Sequence, residues 1–115
     1  MRAMVAETEP CLLVMTTCPD ADSAERIARS LVGGGAAASV NMLPGVRSIY
    51  RWRGAVEEAA ELCLLIKCPA GNYEAVERDI IGQHPYQVPQ VIAVPITAGA
   101  APYLDWIRAS AGAGS

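Results

Sequence analysis

The stretch VRSIYRWRGAVEEAAELCLLIKC, residues 46–68, decides the fold. On its first arm Val46, Ser48, Tyr50 and Trp52 point one way, and Arg47, Ile49, Arg51 and Arg53 the other. That period of two marks a β-strand. Gly54 turns the chain. On the returning arm Leu62, Leu64 and Ile66 make an apolar face, while Glu61, Cys63, Leu65 and Lys67 make a mixed one. Residues 46–68 are therefore predicted to form a long β-hairpin. Just upstream, Leu43-Pro44-Gly45 should break or bulge the strand, because proline has no ladder donor.

Working outward, CLLVMTT (11–17) is a short apolar run ended by a Pro-Asp turn, which reads as a strand. Ala24, Ile27, Ala28 and Leu31 recur at helical spacing and predict a helix over 21–32. Asp20 or Asp22 can cap its start, and Gly33 can end it in the left-handed conformation. Gly33–Gly35 follow a helix instead of preceding one, so they read as a helix end and not as a phosphate cradle. A second helix is expected over 72–82, with Tyr73, Val76, Ile80 and Ile81 as its apolar stripe and Gly82 closing it. QVIAVPI (90–96) reads as the last strand and AAPYLDWIRAS (100–110) as a short helix with Pro102 in its first turn, before a frayed AGAGS tail.

The order β-α-β-β-α-β plus a terminal helix specifies an α+β class, ferredoxin-like split β-α-β domain. Right-handed crossovers put the first two helices on one face of an antiparallel sheet, in strand order 4-1-3-2. The 115 residues suit a single domain, with an ordered core over about 10–109. With 52% hydrophobic and 18% charged residues the chain is not disordered, and a net charge of -3 argues against a nucleic-acid partner. No signal-like segment opens the sequence, and its longest apolar runs are too short to span a membrane, so a cytoplasmic protein is expected. Cys11, Cys18, Cys63 and Cys68 form no CxxC pair and are expected as free thiols. In the first strand Leu12 and Val14 oppose Cys11, Leu13 and Met15; in the last, Val91 and Ala93 oppose Ile92 and Val94. Both sheet faces are apolar and both need cover. The last helix can supply part of it and a second copy of the chain the rest.

In this strand order the end of strand one, TTCP (16–19), lies beside HPYQ (84–87), with the Trp52–Gly54 tip at the same sheet end. Three roles stand open for His84, the only histidine: shaping its turn, ligating a metal, or acting as a base. Cys18 and His84 together would suit copper or zinc, with a third ligand from water, another subunit or Glu61. They are equally the elements of a nucleophile and its base, although no oxyanion motif or nucleotide fingerprint accompanies them, and no enzyme is expected. Glu61 and Lys67 share a strand face but stand too far apart to pair. With Trp52, Tyr86, Tyr103 and Trp106 they are candidates to line a ligand cleft between subunits. The competing reading makes Trp52 and Trp106 interface anchors. Arg47, Arg51 and Arg53 form a stripe suited to solvent or to an anion.

The segments TTCPDADSAERIARSLV, AAASVNMLPGVRSIYRWRGAVEEAAELCLLIKC, HPYQVPQVIAVPI and YLDWI resemble the CutA divalent-cation-tolerance proteins across residues 11–107. The resemblance implies a ferredoxin-like fold and a tight homotrimer whose long hairpin strands pair around a threefold axis. It implies a likeness in architecture to PII signalling proteins, and an association with copper tolerance and copper binding. Ser39 stands where many members have cysteine, Gln87 and Gln90 where they have glutamate, and Thr16 and Gln83 where some carry cysteine and histidine. His84 carries over. The expectation is a non-enzymatic, homotrimeric divalent-cation (copper) tolerance protein with no required cofactor, binding the cation weakly near Cys18 and His84. The alternative is a PII-like module that binds a small molecule or protein partner in inter-subunit clefts.

Overall fold

Four strands and three helices make up the computed structural model, which describes residues 9–111; the opening segment and the end of the tail lie outside the described residues. They are β1 (Cys11–Cys18), α1 (Ala21–Gly33), β2 (Ser39–Trp52), β3 (Ala55–Pro69), α2 (Tyr73–Gln83), β4 (Ile92–Ile96) and α3 (Ala101–Ser110). A single 3-10 turn, Ala70–Asn72, leads into α2. The strands form one antiparallel sheet ordered β2-β3-β1-β4, the expected split β-α-β arrangement.

Helix α1 begins where Asp20 accepts the Ser23 amide at 2.8 Å, which satisfies one of the amides left free at a helix start. Its end differs from expectation: the left-handed residue is Gly35 (φ 85), not Gly33. Gly82 does not close α2 either. That helix runs on to Gln83 and stops at His84, whose extended backbone (φ -75, ψ 137) is what a residue before proline favours. Val76 and Ile80 are buried on α2, whereas Ile81 is exposed and lies off the stripe.

Val14 and Cys18 of β1 and Leu64, Ile66 and Cys68 of β3 form the sheet side of the main core, under Ile27 and Leu31 of α1 and Val76 and Ile80 of α2. On the opposite face α3 lays Ile107 against Cys11, Ala38 and Ala111 and covers only one end of the sheet. Beyond it Leu43, Ile92 and Val94 remain more than 40% exposed.

The hairpin is longer than residues 46–68. Strand β2 starts at Ser39 and passes through Leu43-Pro44-Gly45-Val46 with a one-residue bulge, since Leu43 pairs with Cys63 but Val46 with Glu61. The proline is accommodated because β2 is an edge strand, and Gly45 takes φ 79. Cys18 pairs with Leu62, so the seven residues from Glu61 back to Ala55 project past the end of β1. At 3.3 Å per residue that arm reaches about 23 Å, so the tip lies at the expected sheet end and projects well beyond Cys18. Arg53 (φ 51) and Gly54 (φ 83) close it in the doubly left-handed turn that suits two-residue hairpins.

Candidate functional site

The loop from His84 to Gln90 crosses the end of β1 and lies against the projecting hairpin. His84 holds it there. Its Nε2 lies 2.7 Å from the Thr17 carbonyl, and its Nδ1 accepts the Tyr86 amide at 3.1 Å. The second bond fixes Nδ1 as the acceptor, so Nε2 carries the proton and donates to β1. The imidazole is 9% exposed and lies 4.8 Å from the Tyr86 ring. Its turn-shaping role, one of the three left open by sequence, is the one this geometry displays.

Tyr86 in turn donates its hydroxyl to Glu61 at 2.5 Å. Glu61 is 6% exposed. Burial, and then the adjacent carboxylate, push the Tyr86 phenol well above its ordinary range, so it stays protonated and remains a donor. A cleft of about 700 Å³ opens beside this pair, with Tyr50, Trp52, Gln87 and Gln90 among its lining. Arg53 ties the far rim: its guanidinium lies 5.3 Å from the Trp52 ring centre and donates to Gln87 Oε1 at 3.3 Å. Of the arginine stripe, Arg47 is engaged with Glu58 across the hairpin at 2.6 Å.

Cys18 does lie at the His84 end of the sheet, but its thiol faces the helices and is fully buried. Burial, followed by the charges of Glu61 and Asp20, raises it to about 11, so it is a neutral thiol near pH 7. Among the described residues no three His, Cys, Asp or Glu side chains gather closely enough to hold a metal ion. Neither of the two candidate ligands therefore presents a free donor atom as the protomer stands. All four cysteines are unpaired thiols.

The six cleft candidates separate into two groups. Trp52, Glu61 and Tyr86 belong together at the hairpin cleft. Lys67 lies six residues further along β3, about 20 Å away, and belongs with α3. There Tyr103 and Trp106 stack at 5.6 Å, and Tyr103 Oη lies 3.4 Å from Ser39 Oγ. Ser39 is the register partner of Lys67. The lysine is 8% exposed and donates to Asn41 Oδ1 and to the Leu65 carbonyl. Burial lowers its pKa, with no charged neighbour contributing. The sequence alone does not bring Ser39 and Asn41 alongside Lys67, because a hairpin beginning at Val46 leaves the register before the bulge undetermined.

The family model of the CutA1 divalent ion tolerance protein matches residues 12–110. The divalent-cation tolerance protein CutA of Thermus thermophilus is 42% identical over 100 residues, 87% of this chain and 97% of its own. Its solved structure superposes with a TM-score of 0.86 at 41% identity, covering 89% of this chain and 99% of that one. The chloroplastic protein CutA of Arabidopsis thaliana is 37% identical over 91% of this chain, which spans 58% of that longer relative. A match that spans almost every element of the sheet and all three helices, at this identity, leaves one assignment: the chain belongs to the CutA1 divalent ion tolerance family.

Proposed function

We propose that the chain works as a non-catalytic homotrimer in tolerance to divalent cations, copper first among them, in the cytoplasm. The observation that carries the assembly is the apolar surface the protomer leaves in water. Ile49 and Val56 on the projecting hairpin are each 67% exposed, and Val94 and Ile92 are 43% and 49% exposed on the open sheet face. Both sheet edges, β2 and β4, are unpaired in the protomer. Long apolar edges of this kind are covered in stable proteins, and a head-to-tail ring covers both at once. Light scattering should give three times the 12.1 kDa of one chain at micromolar concentration; a single-chain mass at that dilution would overturn the assembly.

The cation enters as cargo and no resident cofactor is required. Cys18, His84 and Glu61 are the donors at this end of the sheet whose chemistry suits copper. Engaging them means releasing His84 from Thr17 or from the Tyr86 amide, and deprotonating a thiol raised to about 11, which makes binding weak. Titration calorimetry with copper should show weak, proton-releasing binding that His84→Ala abolishes. Equal heats for both proteins would remove these donors from the reading. The cleft beside Tyr86 and Glu61 favours a second reading, a small-molecule module of the PII kind. A ligand that raises the melting temperature of the wild type but not of Trp52→Ala would support it.

A further inference from the structure

Glu61 is a buried carboxylate with one of its two oxygens unused. It is 6% exposed, and none of the ion pairs among the described residues includes it. Its Oε2 accepts the Tyr86 hydroxyl at 2.5 Å, and the phenol, raised chiefly by burial, keeps that proton. Oε1 has no such donor. Among the described residues the one buried side-chain polar atom without a hydrogen-bond partner is Thr16 Oγ1, so Oε1 is not sealed in; it meets solvent in the cleft that Glu61 lines. A carboxylate withdrawn from bulk water with one oxygen free favours a positively charged donor.

The surroundings of that oxygen narrow the kind of cation. The cleft holds about 700 Å³, a size that takes small organic molecules. Tyr50, Trp52 and Tyr86 give it aromatic walls, Gln87 and Gln90 are neutral, and Glu61 is its only charged lining residue. With Cys18 buried in the core and both His84 nitrogens engaged, one carboxylate oxygen among rings is a poor donor set for a divalent ion. It is a good set for an organic ammonium, whose N–H bonds the carboxylate while its charge and hydrocarbon rest against ring faces. Trp52 already carries one cation at the rim, the Arg53 guanidinium 5.3 Å from its ring centre. That fixed charge disfavours a second positive charge on the ligand.

We propose that the Glu61–Tyr86 cleft binds a small, singly charged organic ammonium with an apolar or aromatic body, its nitrogen donating to Glu61 Oε1 and its body lying against Tyr50 and Trp52. The inference rests on the small-molecule reading of this cleft and names the ligand class. The walls come from the hairpin arm and the 84–90 loop of one protomer, so the cavity exists before copies assemble. It lies beyond the end of β1, whereas the apolar sheet face that needs cover, at Ile92 and Val94, lies on β4 alongside β1.

Three probes of similar shape test the charge: benzylamine, which is protonated at neutral pH, the uncharged benzyl alcohol, and benzoate. Each is titrated by calorimetry into the full-length protein at one fixed protomer concentration. The chain has two tryptophans, so Trp106→Phe leaves Trp52 as the only one, and its fluorescence reports on the cleft wall. Benzylamine should bind, perturb the Trp52 emission and raise the melting temperature once it exceeds ~100 times its Kd. Benzyl alcohol should bind about 10–100-fold more weakly, and benzoate more weakly still. Glu61→Gln keeps an acceptor for Tyr86 and removes the charge, so it should weaken benzylamine by about the same factor and leave benzyl alcohol unchanged. Equal affinities for benzylamine and benzyl alcohol, or a benzylamine affinity that Glu61→Gln leaves intact, overturn the ammonium class while the small-molecule reading stands. Binding of none of the three by a protein that melts cooperatively overturns both. A benzylamine affinity that falls as the protein concentration rises also overturns the proposal, because a second copy's side chain then fills the cleft.

Discussion

Replacing His84 with alanine tests whether the imidazole holds the 84–90 loop against the sheet. Two hydrogen bonds disappear, one to the Thr17 carbonyl and one from the Tyr86 amide. Each is worth about 1 kcal/mol net. The ring contact with Tyr86 adds roughly 0.5–1 kcal/mol. Against this sum, Pro85 and Gln87 are exposed, so water can reach part of what is freed. The expected loss is therefore about 2–3 kcal/mol. Urea unfolding at one fixed protomer concentration measures it, and hydrogen exchange at the Tyr86 amide locates it. Two further variants divide the effect. In His84→Asn the side-chain oxygen can stand in for Nδ1 and keep the amide bond. In His84→Gln the side-chain nitrogen can stand in for Nε2 and keep the bond to Thr17. Each should recover roughly half of the loss. If all three variants unfold like the wild type and the Tyr86 amide stays equally protected, the loop is held by something else and the role given to His84 is wrong.

Tyr86→Phe leaves the Glu61 carboxylate buried without its donor and should cost about 1–3 kcal/mol in the same assay, with Glu61→Gln in that background restoring part of it. Alkaline stability gives a test with a definite sign. The folded state holds the Cys18 and Cys68 protons more tightly than the unfolded one, since burial raises both thiols to about 11. Their contribution is thus complete below the unfolded thiol pKa near 8.5–9 and is lost as pH rises towards about 11, and Cys18→Ala should flatten that decline in pH-dependent unfolding. Ile27→Ala empties a fully buried position between α1 and the sheet and should cost about 2–5 kcal/mol by denaturant unfolding. Arg53→Asn puts a residue tolerant of φ 51 at the hairpin tip; thermal unfolding should show no loss, or a gain of a few tenths of a kcal/mol, despite removing the contact with Trp52.

Sequence periodicity served well wherever an element is amphipathic against one partner. The even positions of β3, the 24/27/28/31 stripe of α1 and the strand order all emerge in the structure as read. Helix ends fared worse, for local reasons. Gly33 and Gly82 carry the residue type of a left-handed cap, yet α1 postpones its cap to Gly35 and α2 is stopped by Pro85 acting on His84. The site was legible as neighbours and not as contacts. Strand order alone put Thr17 beside His84, but nothing in the spacing of HPY says that one imidazole would engage both the β1 carbonyl and the Tyr86 amide. Glu61 was visible as an acid on a mixed face; its donor, Tyr86, comes from a loop whose path no periodicity encodes.

The bulge at Leu43–Val46 decides which of these groups share a surface. Before it, the odd residues of β2 face the same way as the odd residues of β3, which puts Ser39 over Lys67 and Asn41 over Leu65. After it, the even residues do, so Ser48, Tyr50 and Trp52 turn to the side of Glu61. A regular strand would keep the first parity and present Arg47, Ile49, Arg51 and Arg53 to Glu61 instead. The acid would then sit among arginines, Tyr86 would compete with them for it, and the aromatic wall of the cleft would point to the helix side. One extra residue in an edge strand, tolerated because Pro44 needs no ladder partner there and Gly45 can adopt φ 79, gives a single sheet face two chemically opposite ends. Lysine with hydroxyls lies under α3 at one end, and a carboxylate with aromatics lies under the histidine-held loop at the other.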